Sequence, residues 1–224
     1  MIRLNDRLAA VFSVIDPTDQ VMDVGCDHAF LAIALKEKYK DMNVVASDNK
    51  EGPLKHAKEN IKKNHLEGKI ELRFGNGIQV LDEKTDTVVI SGMGGLNMIG
   101  IFKYEEAKRK QIRKIVLSPN SDVESVRREF MKMGYQIYRE KLVRDGKFIY
   151  PVIDFRKGRV HYEKKDLLLG PVLRKEKSPL FLEWNQKEID RISQLIKVLP
   201  KGFWQKRIRL RRNLKIHKTV LKTL

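Results

Sequence analysis

Val21-Met22-Asp23-Val24-Gly25-Cys26-Asp27-His28-Ala29-Phe30-Leu31 is the stretch on which the reading of this chain turns. An apolar run with an acid inside it ends at a glycine, and a second apolar run, Leu31 to Leu35, alternates too poorly for a strand and continues as a helix. Strand, tight turn and helix in that order present backbone N–H groups and a helix N-terminus to a ligand, and Gly25 lets the ligand come close because it has no Cβ. A second run, Val44-Val45-Ala46-Ser47-Asp48, ends in an acid 23 residues past Gly25. A nucleotide-binding α/β unit places there the carboxylate that holds ribose hydroxyls. Together the two runs predict an adenosine-type cofactor.

Outward from that unit, strands and helices alternate. Leu4, Leu8, Val11, Phe12 and Ile15 recur at helical spacing, so an opening helix is expected to about Ile15, closed by Asp16-Pro17. Strands are expected near 20–24, 44–48, 69–74, 87–90 and 114–117, with helices near 29–39, 51–64, from Leu96, and 122–133. Two last strands, 135–143 and 148–156, are joined by the hairpin signal Arg144-Asp145-Gly146-Lys147. This grammar predicts a parallel, doubly wound α/β sheet with an antiparallel edge. Ligands bind beyond the carboxyl ends of such strands. Five unusual tripeptides fall there: Gly25-Cys26-Asp27, Ser47-Asp48-Asn49, Gly75-Asn76-Gly77, Ser91-Gly92-Met93 and Ser118-Pro119-Asn120.

After Phe155 the pattern changes. Leu182, Ile189, Ile192, Ile196 and Leu199 keep a 3/4 spacing that only Asn185 interrupts. Pro200-Lys201-Gly202 turns the chain, and Phe203, Leu210, Leu214, Leu221 and Leu224 repeat the spacing, with His217 on the same seam. An antiparallel, coiled-coil-like helical hairpin is expected, and the chain is read as two domains, 1–157 and 158–224.

The 224 residues hold 46 Lys and Arg against 29 Asp and Glu, a net charge of +17. Residues 157–224 carry 19 basic and six acidic side chains, so the excess is concentrated in the helical segment. A basic surface of that size attracts polyanions, because each neutralised phosphate releases a condensed counterion. Single Cys26 excludes an internal disulfide and a cysteine-based zinc site, and no metal is expected. No apolar run approaches the roughly 20 residues of a membrane span. The first residues lack a signal peptide's apolar segment, so the cytoplasm is the expected compartment.

A nicotinamide enzyme would show Gly-x-Gly-x-x-Gly at the first turn. Here the second and third glycines are missing and an acid stands where pyrophosphate would lie. Anionic Asp23 and Asp27 suit a positively charged cofactor such as S-adenosylmethionine, which favours methyl transfer over hydride transfer. Asp23 is otherwise hard to explain, since an unpaired carboxylate in a buried strand is costly.

Asp23 to Leu31, Ser91-Gly92-Met93-Gly94-Gly95, Leu117-Ser118-Pro119-Asn120, Gly146-Lys147-Phe148 and Gly170-Pro171 closely resemble the bacterial tRNA (adenine-22, N1) methyltransferases. The resemblance implies a Rossmann-like class I methyltransferase domain, S-adenosylmethionine as donor, methylation of N1 of adenine 22 in the D-arm region of tRNA, and a C-terminal helical domain that helps hold the tRNA. Cys26, Asn76 and Ser118 stand where the family often has Ser, Asp and Gln; the Asn76 oxygen still accepts. Asp23, Gly25, Asp27, His28, Ser47, Asp48, Asn49, Gly75, Asn76, Gly77, Ser91, Gly92, Met93 and Gly94 are then the candidate cofactor residues. Asp27, His28 and Asn120 are candidates beside the transferred methyl, with Asp27 offsetting the charge that methylation creates and Asn120 fixing the N6 and N1 edge. A monomer is expected. A methyltransferase acting on another substrate, or a non-catalytic RNA-binding protein, are the alternatives.

Overall fold

The computed structural model describes residues 2–200 and 202–222. Met1, Lys201, Thr223 and Leu224 lie outside the described residues, and with them the middle of the Pro200–Gly202 turn and the last apolar position of the C-terminal seam. The chain divides into two compact units, residues 1–160 and 161–224.

In the first unit, α1 (Asp6–Phe12) precedes β1 (Val21–Val24), α2 (Phe30–Lys38), β2 (Val44–Asp48), α3 (Glu51–Lys63) and β3 (Glu71–Phe74). A short 3-10 turn leads to β4 (Thr87–Ser91), α4 (Gly95–Lys103), α5 (Glu106–Gln111), β5 (Lys114–Ser118) and α6 (Val123–Lys132). β6 (Tyr135–Asp145) and β7 (Phe148–Lys157) close the sheet. Strand order is β3-β2-β1-β4-β5-β7-β6, with β1 to β5 parallel and β7 and β6 antiparallel at the edge. The order reverses between β1 and β4, which is where such a sheet opens a crevice. Because crossovers between parallel strands are right-handed, the helices of the two halves cover opposite faces. β1, β2 and β5 are buried throughout, as near-continuous apolar runs between two helical layers must be.

Local departures from expectation have local causes. The opening helix stops at Phe12 rather than Ile15, its last turn tightening through Val14 N–H to Val11 C=O and Ile15 N–H to Phe12 C=O, both 3.1 Å. Pro17 keeps Asp16 out of helical geometry. The first hairpin strand runs two residues past its expected end to Asp145, while the second starts at Phe148 as expected, leaving only Gly146-Lys147 as the turn, with Gly146 at φ +59. α5 is six residues long and mostly polar, too short to show a period.

At the amino ends of the strands, opposite the tripeptide loops, lies an ion-pair cluster. Lys114 is fully buried, and its Nζ donates to Asp19 (2.5 Å), Asp16 (2.9 Å) and the Val14 carbonyl (2.7 Å). Arg156 and Arg139 reach Asp16 at 2.7 and 3.1 Å and both also hold Asp154. Burial pushes the Asp16 carboxyl up, but its hydrogen bonds from Lys114, Arg156 and Arg139 prevail and hold it well below the usual range.

The second unit holds α7 (Lys164–Leu169), α8 (Leu173–Glu176), α9 (Pro179–Val198) and α10 (Trp204–Lys222). The first two are too short to be read from periodicity; α7 is started by a reciprocal cap between Glu163 and Asp166. Asn185 does not break the α9 seam. It is buried, its Nδ2 donates to the His217 carbonyl at 3.0 Å, and its Oδ1 lies 2.7 Å from His217 Nδ1. The start of α9 therefore meets the end of α10, and the helices are antiparallel.

Removing Lys114 leaves buried Asp19 without its closest cation. Lys114→Met is expected to destabilise the fold by about 3–5 kcal/mol, read as the shift in urea unfolding; a change within experimental error would show that the cluster is idle.

Candidate active site

All five tripeptide loops lie at the carboxyl ends of β1 to β5, and backbone hydrogen bonds or side-chain contacts tie each to its neighbour. Asn49 after β2 donates from Nδ2 to Asn76 Oδ1 after β3, at 3.1 Å. The Ser47 carbonyl accepts from the N–H groups of both Gly25 (2.8 Å) and Cys26 (3.0 Å). Across the crevice, a Cβ on Gly25 would come within 2.2 Å of Met93 Cε, so the Met93 side chain lies over the first turn. The Asn120 N–H donates to the Met93 carbonyl (2.8 Å) and its Nδ2 to the Gly92 carbonyl (2.5 Å). The rim is one connected structure.

The first turn is built differently from expectation. Gly25 and Cys26 spend their N–H groups on Ser47, so those donors do not face a ligand. Gly25, Asp27 and Ala29 take left-handed backbone at φ +73, +47 and +57, and α2 starts after Ala29. Such conformations are costly for Asp and Ala and mark a turn held by its surroundings. Asp27 is 66% exposed and 3.6 Å from His28 Nε2. The His28 ring stacks between Phe30 and His56, with centroids 5.2 and 5.1 Å away.

Asp23 is 6% exposed, one residue from the carboxyl end of β1, and paired in register with Ala46 and Val89. Its carboxylate has neither a cation nor a hydrogen-bond donor among the described residues. Burial raises its pKa to about 7, helped by the charge of Asp48 on the neighbouring strand. Asp48 is itself nearly buried and accepts the Lys50 N–H on Oδ1 at 3.0 Å. Ser47 is fully buried, with its hydroxyl donating to the Asp23 carbonyl of β1 at 3.4 Å; its backbone carbonyl, not its side chain, holds the turn. Gly77 needs its identity twice over, since φ is +56 and a Cβ would sit 2.7 Å from Ile101. Gly75 and the exposed Asn76 complete that turn, and Ser91, Gly92 and Gly94 line the turn into α4. The Cys26 thiol is pushed up first by burial and then by Asp23 and Asp48, so it is an inert space-filler.

One group of metal-ligand types exists among the described residues. Atoms of Asp27, His28 and His56 lie within 4.8 Å of one another. The two imidazoles are stacked 9° from parallel, and one ion cannot lie in both ring planes.

The family model for tRNA (adenine(22)-N(1))-methyltransferase matches residues 21–220. The chain belongs to this family. A curated member, the tRNA (adenine(22)-N(1))-methyltransferase of Bacillus subtilis, is 28% identical over 193 residues, 83% of this chain and 81% of the relative. A Streptococcus pneumoniae protein solved with S-adenosyl-L-methionine superimposes with a TM-score of 0.87 at 28% identity, covering 96% of this chain and 98% of its own. The M. capricolum family member, solved with S-adenosylhomocysteine, does so with a TM-score of 0.84 at 25% identity, covering 97% of each. The residues of this chain fit that cofactor: a buried carboxylate lacking any donor at the crevice is what a cationic ammonium or sulfonium group satisfies. In this tRNA methyltransferase, S-adenosylmethionine is the donor. Sequence reasoning reached the rim loops through their glycines and acids; it missed Arg7, whose Nη1 donates to Asn120 Oδ1 at 2.6 Å, because Arg7 lies in no motif.

Cofactor binding favours ionised Asp23, so affinity for S-adenosylmethionine is expected to climb as pH rises toward 7 and to level off above it. The slope below 7 reaches at most about tenfold per pH unit. Stability of the free protein should move oppositely: an unfolded Asp ionises near 4, so folding is weakened as pH rises from about 4 to about 7. Asp23→Asn should remove both dependences, and calorimetry from pH 5.5 to 8.5 reads the first; a slope that survives in Asp23→Asn would assign it elsewhere.

Proposed function

We propose that this protein, acting as a cytoplasmic monomer, methylates N1 of adenine 22 in the D-arm region of tRNA. The observation that carries the reading is the donorless Asp23 at the β1/β4 crevice of a chain in this family. Asp23, Asp48 and the turn at Gly25 would hold the cofactor, with Asn49, Asn76 and Gly77 beside its adenosine end. Bound there, S-adenosylmethionine supplies a sulfonium methyl that the in-plane lone pair of adenine N1 takes directly, the electrons of the C–S bond staying on sulfur. No base has to be deprotonated for that, so this chain's residues have three tasks: to align, to exclude water and to compensate charge. Methylation leaves the purine cationic. Exposed Asp27, with His28 beside it, is placed at the rim to offset that charge, and Asn120 to hold the base edge.

Adenine N1 is stacked or paired in folded RNA, so the target must swing out at a cost of a few kcal/mol. Residues 158–224 are assigned the backbone contacts that offset it. From Gly202 to Lys222 the sequence has no acidic residue, and Lys206, Arg209, Arg211, Arg212, Lys215 and Lys218 on α10 are exposed. Such a surface reads phosphates rather than bases.

Incubation with tRNA and labelled cofactor, followed by nucleoside analysis, should yield 1-methyladenosine at position 22; label on another nucleoside or none would refute the reading. Replacing Arg207, Arg209, Arg211 and Arg212 together by Ala should weaken tRNA binding and flatten its log–log salt slope by about three. Cofactor affinity should stay unchanged, and RNA binding that keeps its salt slope would take α10 out of the interface.

A further inference from the structure

Asn120 is exposed at the rim, yet its amide is not free to turn. Its Nδ2 donates to the Gly92 carbonyl and its Oδ1 accepts from Arg7 Nη1. A guanidinium has no acceptor and a carbonyl has no donor, so the oxygen must face Arg7 and the nitrogen Gly92. Flipped, the amide would set N–H against N–H and oxygen against oxygen.

Arg7 is itself locked. It is buried, its Nε donates to Ser118 Oγ at 2.9 Å, its Nη2 donates to the Ser118 carbonyl, and its guanidinium lies 4.0 Å from the centroid of the Tyr150 ring. The same Ser118 carbonyl accepts the Gly92 N–H at 3.2 Å. One side chain from α1 thus fastens the loop after β5 in register with the loop after β4. It precedes residue 21, where the family match begins.

We propose that Arg7 is a positioning residue for methyl transfer, which fixes the amide of Asn120 so that oxygen rather than nitrogen is the group offered to the target base. The proposal rests on the reading that Asn120 meets adenine. Adenine presents N6–H donors beside N1, and N1 must keep its lone pair for the methyl. An amide oxygen accepts from N6 and leaves N1 open. An amide nitrogen would donate to N1 and tie up the attacking pair. Oδ1 can serve the base while held by Arg7, because a carbonyl oxygen has two lone pairs.

Arg7→Met should lower kcat by about 10- to 100-fold, the scale of a misplaced reacting group, with KM for tRNA and affinity for S-adenosylmethionine little changed. Arg7→Lys, which has one cationic head and cannot serve Ser118 and Asn120 in the same geometry, should fall between Arg7→Met and wild type. Once Asn120→Ala is present, adding Arg7→Met should cost far less than it does in wild type, leaving only the share that passes through Ser118. Equal losses in both backgrounds, or a fall in cofactor affinity parallel to kcat, would overturn the proposal. A second reading needs no catalysis: the Asn120 Nδ2 proton that meets the Gly92 carbonyl should exchange slowly with solvent in wild type and faster in Arg7→Lys, where the amide is free to turn. Fast exchange in wild type would overturn the clamp, whereas a clamped Asn120 in a protein that makes no 1-methyladenosine would overturn the methyltransferase reading alone.

Discussion

A carboxylate buried in a strand, with no cation or hydrogen-bond donor beside it among the described residues, is the constraint from which this protein's chemistry follows. Asp23 lies between Ala46 and Val89 in a sheet covered by helices, where burial alone makes ionisation unfavourable. Natural folds seldom keep such a group unless it has a partner outside the chain. Asp48, one strand away, deepens the negative potential. A cationic cofactor relieves both, so binding and local stability are two sides of one electrostatic balance.

The two ends of the sheet divide their labour. At the amino ends, buried Lys114 and the arginines 139 and 156 meet Asp16, Asp19 and Asp154, so every charge is matched. At the carboxyl ends the match is withheld at Asp23, and the backbone takes left-handed turns at Gly25, Asp27 and Ala29. The paired end supplies rigidity, and the unpaired end uses it. Connected loops make the rim stiff without many buried groups: Asn49 to Asn76, Ser47 to Gly25, Met93 over Gly25, Asn120 to Gly92. A catalyst that works by alignment needs that stiffness more than it needs reactive side chains.

The helical hairpin follows a different logic. Its seam is apolar at Phe181, Ile189, Ile192 and Leu210, with one buried polar pair, Asn185 with His217. A buried polar pair costs little when both partners are satisfied and fixes the register of two otherwise interchangeable helices. The periodicity of the sequence showed the seam but made Asn185 look like a defect, because its partner is 32 residues away.

What the sequence by itself determined is whatever is encoded locally. Buried runs such as Val44 to Asp48, the Gly25 turn, the acid at 48 and the switch to helical spacing after Phe155 each follow from a few adjacent residues. Strand alternation then permitted few sheet orders, because crossovers are right-handed. The electrostatic case for a cationic cofactor was also legible, since an acid inside an apolar run is anomalous wherever it folds. Only the tertiary structure decided which groups are spent on each other. It used the Gly25 and Cys26 N–H groups on Ser47, buried Ser47, stacked His28 on His56, and brought Arg7 across 113 residues to Asn120. Hydrogen-bond partners are chosen by proximity in three dimensions, and no period or motif in the chain records that choice.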